Sequence, residues 1–208
     1  MHLTVLGAAG ATGQRVLEQT LRSGHRVTAL VGDPARLPQR DDDRVSLVVG
    51  AATDAQALRH AMPGSEAVIA ALDSGPARGP HAVSRAARAV LAAAETAGVA
   101  RLVWLSALGA GRTIEQVAPL PRIGIRLARR RSLADRARAD DLIRSSDLDW
   151  TLVYPLLLTN GPRTGRYTAT QAPNSRIGSG LSRADAAEFM LGLVETGAWS
   201  RRAATLSR

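Results

Sequence analysis

Three glycines constrain this chain more than anything else in it. Gly7, Gly10 and Gly13 lie in HLTVLGAAGATGQRVLEQ, where an apolar run breaks into G-x-x-G-x-x-G and a helix-like stretch follows. The first glycine lets a strand reverse tightly. The second lets the backbone approach a pyrophosphate that a Cβ would hold off, and the third lets helix and strand pack closely. Unpaired amides and the positive end of the helix dipole then attract phosphate, and the Thr12 hydroxyl adds a donor. Gly7, Ala9, Gly10, Ala11, Thr12 and Gly13 are therefore expected to hold a dinucleotide. Three glycines can also merely shape a tight connection. The context favours the nucleotide, with a strand before, a helix after and a second strand about 20 residues on.

The remaining chain repeats this alternation. Strands are predicted at His2–Leu6, Arg26–Val31, Val45–Val49, Ala67–Ala71, Arg101–Ser106 and Trp150–Tyr154. Several are apolar on both faces, as in a parallel sheet covered on both sides. Helices are predicted near Thr12–Ser23, Ala55–Met62, Pro80–Ala97, Ser132–Ser146 and Arg183–Glu195, several of them closed by glycine. Ser182 with Asp185 resembles a capping pair at the last helix, and Thr159–Arg166 reads as a loop. The expected architecture is α/β: a doubly wound parallel sheet with helices on both faces. Residues 1–208 form one domain, with a small C-terminal region on the substrate side.

Composition narrows the chemistry. The 27 basic residues are all Arg, and there is no Cys, so amine and thiol mechanisms are both unavailable. The absence of Cys fits a cytoplasmic protein, and the N-terminus reads straight into a strand rather than into a leader. No apolar run approaches the ~20 residues of a membrane span. A net charge of +9 favours polyanions, although Arg replacing Lys throughout, from genomic base composition, is the plainer reading.

The segments VLGAAGATG, VTALVGDPARLP, VVGAATDAQAL, EAVIAAL, RLVWLSALGAG, DLDWTLVYP, TNGPRTGRYT and SRADAAEFML, in that order and spacing, resemble a known family. It is the atypical short-chain dehydrogenase/reductases with one Rossmann domain, in particular the group holding biliverdin reductase B/flavin reductase and the NmrA-like proteins. The resemblance spans almost the whole chain and implies an NAD(P)H-binding oxidoreductase. In that family two basic residues after the second strand surround the 2′-phosphate of NADP. Here the first of these positions is Gly32, and Arg36 alone is left, with Asp33 nearby. NADP is favoured over NAD on the strength of Arg36. Ala71, Leu72 and Asp73 close the fourth strand, where a dinucleotide ribose lies. The family's G-D turn is Gly50-Ala51 here, and Asp54 reads as an N-cap.

The family's usual acid/base pair, a Tyr with a Lys four residues later, is impossible without lysine. Tyr154 and Tyr167 also lie far beyond the usual window after Ser106. Ser106 occupies the position of the family's active-site Ser, and it either bonds or protonates a substrate or is an ordinary strand-end hydroxyl. No base adjoins it in sequence. Tyr154-Pro155 matches the segment that passes beside the nicotinamide, so Tyr154 either stacks on that ring or packs in the core. With so little acid/base machinery, an easily reduced acceptor such as a flavin or quinone suits the chain best. The alternative is a non-catalytic NmrA-like redox sensor.

Pro119–Asp141 carries seven arginines. It is read first as a solvated helical face partnered by Asp135, Asp140 and Asp141. A second reading has it line the entrance for an anionic small-molecule substrate. Nucleic-acid contact ranks last, for want of a reading motif or an aromatic platform. His2, His25, His60 and His81 are too dispersed to suggest a metal, and His25 and His60 read as surface positions.

Overall fold

The computed structural model describes residues 1–72, 79, 81–108, 110, 119–171 and 180–208, with the side chains of 119–131 excepted. The elements run β1 (His2–Leu6), α1 (Ala11–Arg22), β2 (Arg26–Val31), β3 (Val45–Val49), α2 (Ala55–Ala61), β4 (Ala67–Ala70), α3 (Ala82–Ala97) and β5 (Arg101–Leu105). Then come α4 (Pro119–Arg144), β6 (Asp149–Pro155), β7 (Leu158–Thr159), β8 (Thr168–Thr170), β9 (Leu181–Ser182), α5 (Arg183–Thr196) and β10 (Arg202–Ser207).

Eight strands form one sheet in the order β3-β2-β1-β4-β5-β6-β10-β8. Every neighbouring pair is parallel except β10 with β8. Strand order reverses between β1 and β4, so a crevice opens beyond the carboxyl ends of those two strands. β7 and β9 pair apart from the main sheet.

The two faces carry separate cores. Leu3 and Val5 of β1 point to the side covered by α1 and α5, where Val16, Leu17, Met190 and Leu191 complete the packing. Leu6 points to the other side, with Leu58 of α2, Val90 of α3, and Ala139 and Ile143 of α4. Truncating a fully buried leucine such as Leu6 to Ala costs about 2–5 kcal/mol. No helix among the described residues is long and apolar enough to cross a membrane.

Three differences from the sequence reading have physical causes. α4 is described from Pro119, 13 residues before Ser132, because Arg, Leu and Ala are strong helix formers. β7, β8 and β9 lie beyond the sequence reading, because two- and three-residue strands carry little pattern of their own. Ser182 caps α5 as expected, its hydroxyl accepting from the Asp185 amide at 2.9 Å. Asp185 interacts with the Ser182 side chain but does more than cap the helix. It turns to the preceding loop and accepts from the Thr164 and Gly165 amides at 2.6 and 2.9 Å.

Candidate active site

The glycine corner sits where β1 ends. Gly7 has φ of 80°, and a Cβ there would lie 2.6 Å from the carbonyl oxygen of Ala71, at the end of β4. A Cβ on Gly13 would collide with the Gly7 carbonyl. Two of the glycines are thus required by the fold itself. A Cβ on Gly10 would meet the Gly7 oxygen at 3.1 Å and the Ala71 oxygen at 3.9 Å, and nothing else within 4 Å among the described residues. The start of α1 therefore keeps an open side. Gly10 caps the helix with no side-chain bond, and no acidic residue stands in the first turn, so the helix dipole is not neutralised from within. Ala9 and Gly10 are half-buried, Ala11 is exposed and Thr12 is buried. These residues fit a diphosphate in the crevice.

Arg36 and Asp33, the residues expected beside the nucleoside, follow β2. Arg36 is exposed, and its carbonyl accepts a 2.9 Å bond from Gln14 Nε2, which ties its backbone to α1. Asp33 accepts from the Ala35 amide at 3.0 Å. A cavity of about 210 Å³ is lined by Ala51, Ala52, Thr53, Leu72, Ala82 and Arg85, among others. Asp54 caps α2 through the Gln56 and Ala57 amides, as expected. Asp73 lies outside the described residues. A larger hollow of about 700 Å³, lined by Gln19, Arg22, Tyr167, Glu188, Phe189 and Trp199 among others, lies towards the far end of α1 and holds none of the predicted site residues.

On the other side of the crevice, α4 lays three charged residues along one stripe, Arg136, Asp140 and Arg144, each one turn from the next. Ser106 follows β5 and donates to Asp140 Oδ2 at 2.9 Å. Tyr154, on β6, donates its phenol to the same oxygen at 2.8 Å. Arg144 Nη2 donates to the Tyr154 oxygen at 2.7 Å. Arg136 donates to the carbonyls of Leu105 and Leu72 at 3.3 and 3.2 Å, bridging the ends of β5 and β4. Ser106, Asp140 and Tyr154 are all buried, Asp140 at 1 % exposure. Burial pushes Asp140 up to about 6, against the opposing pull of Tyr154, Ser106, Arg144 and Arg136. Burial, reinforced by the Asp140 charge, likewise raises Tyr154.

Asp135, five residues earlier, is fixed differently. Its carboxylate accepts from the Val83 and Ser84 amides at 2.9 and 3.2 Å and from the Ser84 hydroxyl, capping α3 from another helix. Burial pushes it up, but these donors outweigh burial and hold the carboxyl below its ordinary value.

Several sequence expectations need correcting here. Asp135 and Asp140 do not partner a solvated arginine face, because both point inward. Asp141 alone stays outside, 3.5 Å from Arg144. Ser106 has no base beside it in sequence, yet folding brings it one. The Tyr154 ring lies in the second core, and its hydroxyl joins the Asp140 cluster. Pro155 is buried at the end of β6. His25, in its turn, is half-buried and bonds Glu195 at 2.9 Å. The side chains of Arg129–Arg131 lie outside the described residues. Asp140 itself was legible in principle: Leu133, Arg136, Asp140 and Ile143 repeat at helical spacing, which places an acid within an inward stripe.

Known proteins share this fold. The NAD(P)H-binding family model matches residues 7–196. ChuY, an anaerobillin reductase from Escherichia coli, is 24 % identical with a TM-score of 0.81, covering 100 % of this chain and 97 % of that one. A short-chain dehydrogenase/reductase from Veillonella parvula, solved in complex with NADP, is 17 % identical with a TM-score of 0.85, covering 100 % and 94 %. The oxidoreductase ylbE from Lactococcus lactis is 19 % identical with a TM-score of 0.84, covering 100 % and 91 %. With the glycine corner at the strand-order reversal and a match along most of its length, the chain belongs to the NAD(P)H-binding family.

Proposed function

We propose that the chain is an NAD(P)H-dependent oxidoreductase that reduces an easily reduced acceptor, such as a flavin or quinone. The observation that carries this is the placement of Ser106, a hydroxyl backed by a buried carboxylate, across the crevice from an uncapped, glycine-lined helix start. A nicotinamide bound there supplies hydride. The chain's own task is to hold and orient. The α1 amides and the Thr12 hydroxyl face the diphosphate, while Ala71 and Leu72 border the ribose. Arg36 offers its guanidinium to a 2′-phosphate. Pro155 and the end of β6 close the nicotinamide side, and Ser106 presents its proton to the acceptor oxygen or ring nitrogen. The small C-terminal region forms the substrate side.

No tyrosine–lysine pair exists to drive reduction of an unactivated ketone, and a positioned acid is typically worth ~10²–10⁴-fold there. Acceptors that take hydride readily depend on it less. That supports flavins and quinones over simple carbonyls.

The test is calorimetric titration with NADPH and NADH, followed by NADPH absorbance in the presence of FMN, a quinone and a simple ketone. Oxidation with FMN or the quinone, and little with the ketone, is expected. Tight binding without oxidation of any acceptor would make the chain a sensor instead. Arg36→Ala should weaken NADPH by about tenfold, the worth of one charge-assisted contact, and leave NADH within about twofold. Equal affinity of the parent for both coenzymes removes the phosphate role of Arg36.

A further inference from the structure

We propose that Asp140 is the proton store of this site, recharging Ser106 from behind, with Tyr154 linking the store to the surface at Arg144. This rests on the reductase reading.

The geometry carries it. Ser106, Asp140, Tyr154 and Arg144 form one unbroken line of contacts of 2.9, 2.8 and 2.7 Å. The inner end lies at the carboxyl edge of β5, where the reaction would occur. At the outer end, the Arg144 side chain is 34 % exposed. Ser106 and Tyr154 meet on the same carboxylate oxygen, which is the arrangement a relay needs. Asp140 Oδ1 is buried and finds no hydrogen-bond partner among the described residues, so the full carboxylate charge is poorly compensated. Four groups act on Asp140: Ser106 from β5, Tyr154 from β6, and Arg136 and Arg144 from its own helix. The two guanidiniums keep its proton within reach of release. Burial keeps that proton in place up to about pH 6.

The acceptor gains hydride from the coenzyme and needs one proton. Ser106 Oγ–H breaks to supply it, and the Asp140 carboxyl proton moves to Ser106 Oγ, leaving a carboxylate. The Tyr154 phenol then passes its proton to Asp140 Oδ2 as it takes another from water at the Arg144 end, so no phenolate stands free. Arg144 stays cationic throughout. The net consumption is one solvent proton per hydride, with no further reactant.

Asp140 acts through Ser106, so it is a positioning residue, and its signature is a pH profile. With NADPH and FMN, kcat of the parent should fall about tenfold per pH unit above about pH 6, towards a level set by water as donor. Asp140→Asn should lose that limb and stay at the lower level, with NADPH affinity within about twofold of the parent as the check on folding. Asp140→Glu should restore the limb. Tyr154→Phe should keep the limb but lower kcat severalfold on its acid side. In the coenzyme-free protein, a carboxyl ¹³C resonance missing from Asp140→Asn should titrate at about 6. A limb that survives Asp140→Asn overturns the proposal, and so does a resonance titrating in the ordinary carboxylate range. Tyr154→Phe with parental kcat overturns the outer path. If the parent oxidises no NADPH with any acceptor, the reductase reading fails and takes this one with it. Oxidation whose pH profile ignores residue 140 sinks this proposal alone.

Discussion

Asp135 and Asp140 stand five residues apart on one helix, both buried, and they titrate in opposite directions. Asp135 meets two backbone amides and a hydroxyl at the start of α3, and its carboxyl lies below the ordinary value. Asp140 meets two hydroxyls on one oxygen and nothing among the described residues on the other, and it is pushed to about 6. Desolvation acts on both, and more strongly on Asp140, the more deeply buried. The number and kind of donors separate them further, because an amide in a helix's first turn adds the dipole that a neutral hydroxyl lacks. One carboxylate is therefore a structural clamp, and the other is a group that can exchange protons near neutrality.

The comparison breaks most visibly at the clamp. Asp135→Ala leaves two first-turn amides and a hydroxyl of α3 without their acceptor. It should lower stability by roughly 3 kcal/mol at neutral pH, as read from urea unfolding. A loss below about 1 kcal/mol would mean that water or a neighbour replaces the carboxylate without penalty.

Next is the pH dependence of Asp140. Its folded value lies above the unfolded one, so its contribution to stability is fully present below about pH 4 and is lost as pH rises through about 6. For Asp135 the sign reverses: its contribution is present above the ordinary carboxylate value and lost as pH falls. Asp140→Asn should therefore gain stability relative to the parent between about pH 4 and pH 8. The gain is at most about 3 kcal/mol, the equivalent of the displacement from 3.8 to about 6. Urea midpoints across that range check the slope, and a gap independent of pH would contradict the assignment.

The smallest effect sharpens the contrast from outside. Asp141 adjoins Asp140, but its side chain is 79 % exposed and pairs with Arg144 at 3.5 Å. Asp141→Ala should change stability by less than about 0.5 kcal/mol, as exposed ion pairs do. A larger loss would show that Arg144 depends on Asp141 as well as on Tyr154 for its placement.

How far the sequence could be read follows from how local each signal is. β1 and β2 match their predicted bounds, because strands buried on both faces are continuous apolar runs with clear ends, and β3, half-exposed at the sheet edge, matches as well. The corner at Gly7–Gly13 was legible because its three requirements fall within seven residues. The acceptor side was not. Ser106 and Asp140 are 34 positions apart, and Tyr154 follows 14 further on, so only the β5–α4–β6 crossover brings them together. A surplus of arginine around Asp135 and Asp140 also made surface pairing the natural reading, and it concealed the inward stripe of α4. β10 shows the same limit one strand in from the sheet edge, where pairing with β6 and β8 supplies what six residues cannot specify alone.

The central claim is that hydride leaves a coenzyme on the glycine corner for an acceptor held beside Ser106. It is tested most directly by NADPH oxidation with FMN in the parent and in Ser106→Ala, alongside calorimetric NADPH affinity. The account predicts turnover in the parent and kcat lowered at least about tenfold in the variant, with affinity within about twofold. Equal kcat in both proteins, or firm NADPH binding without turnover in either, would contradict it.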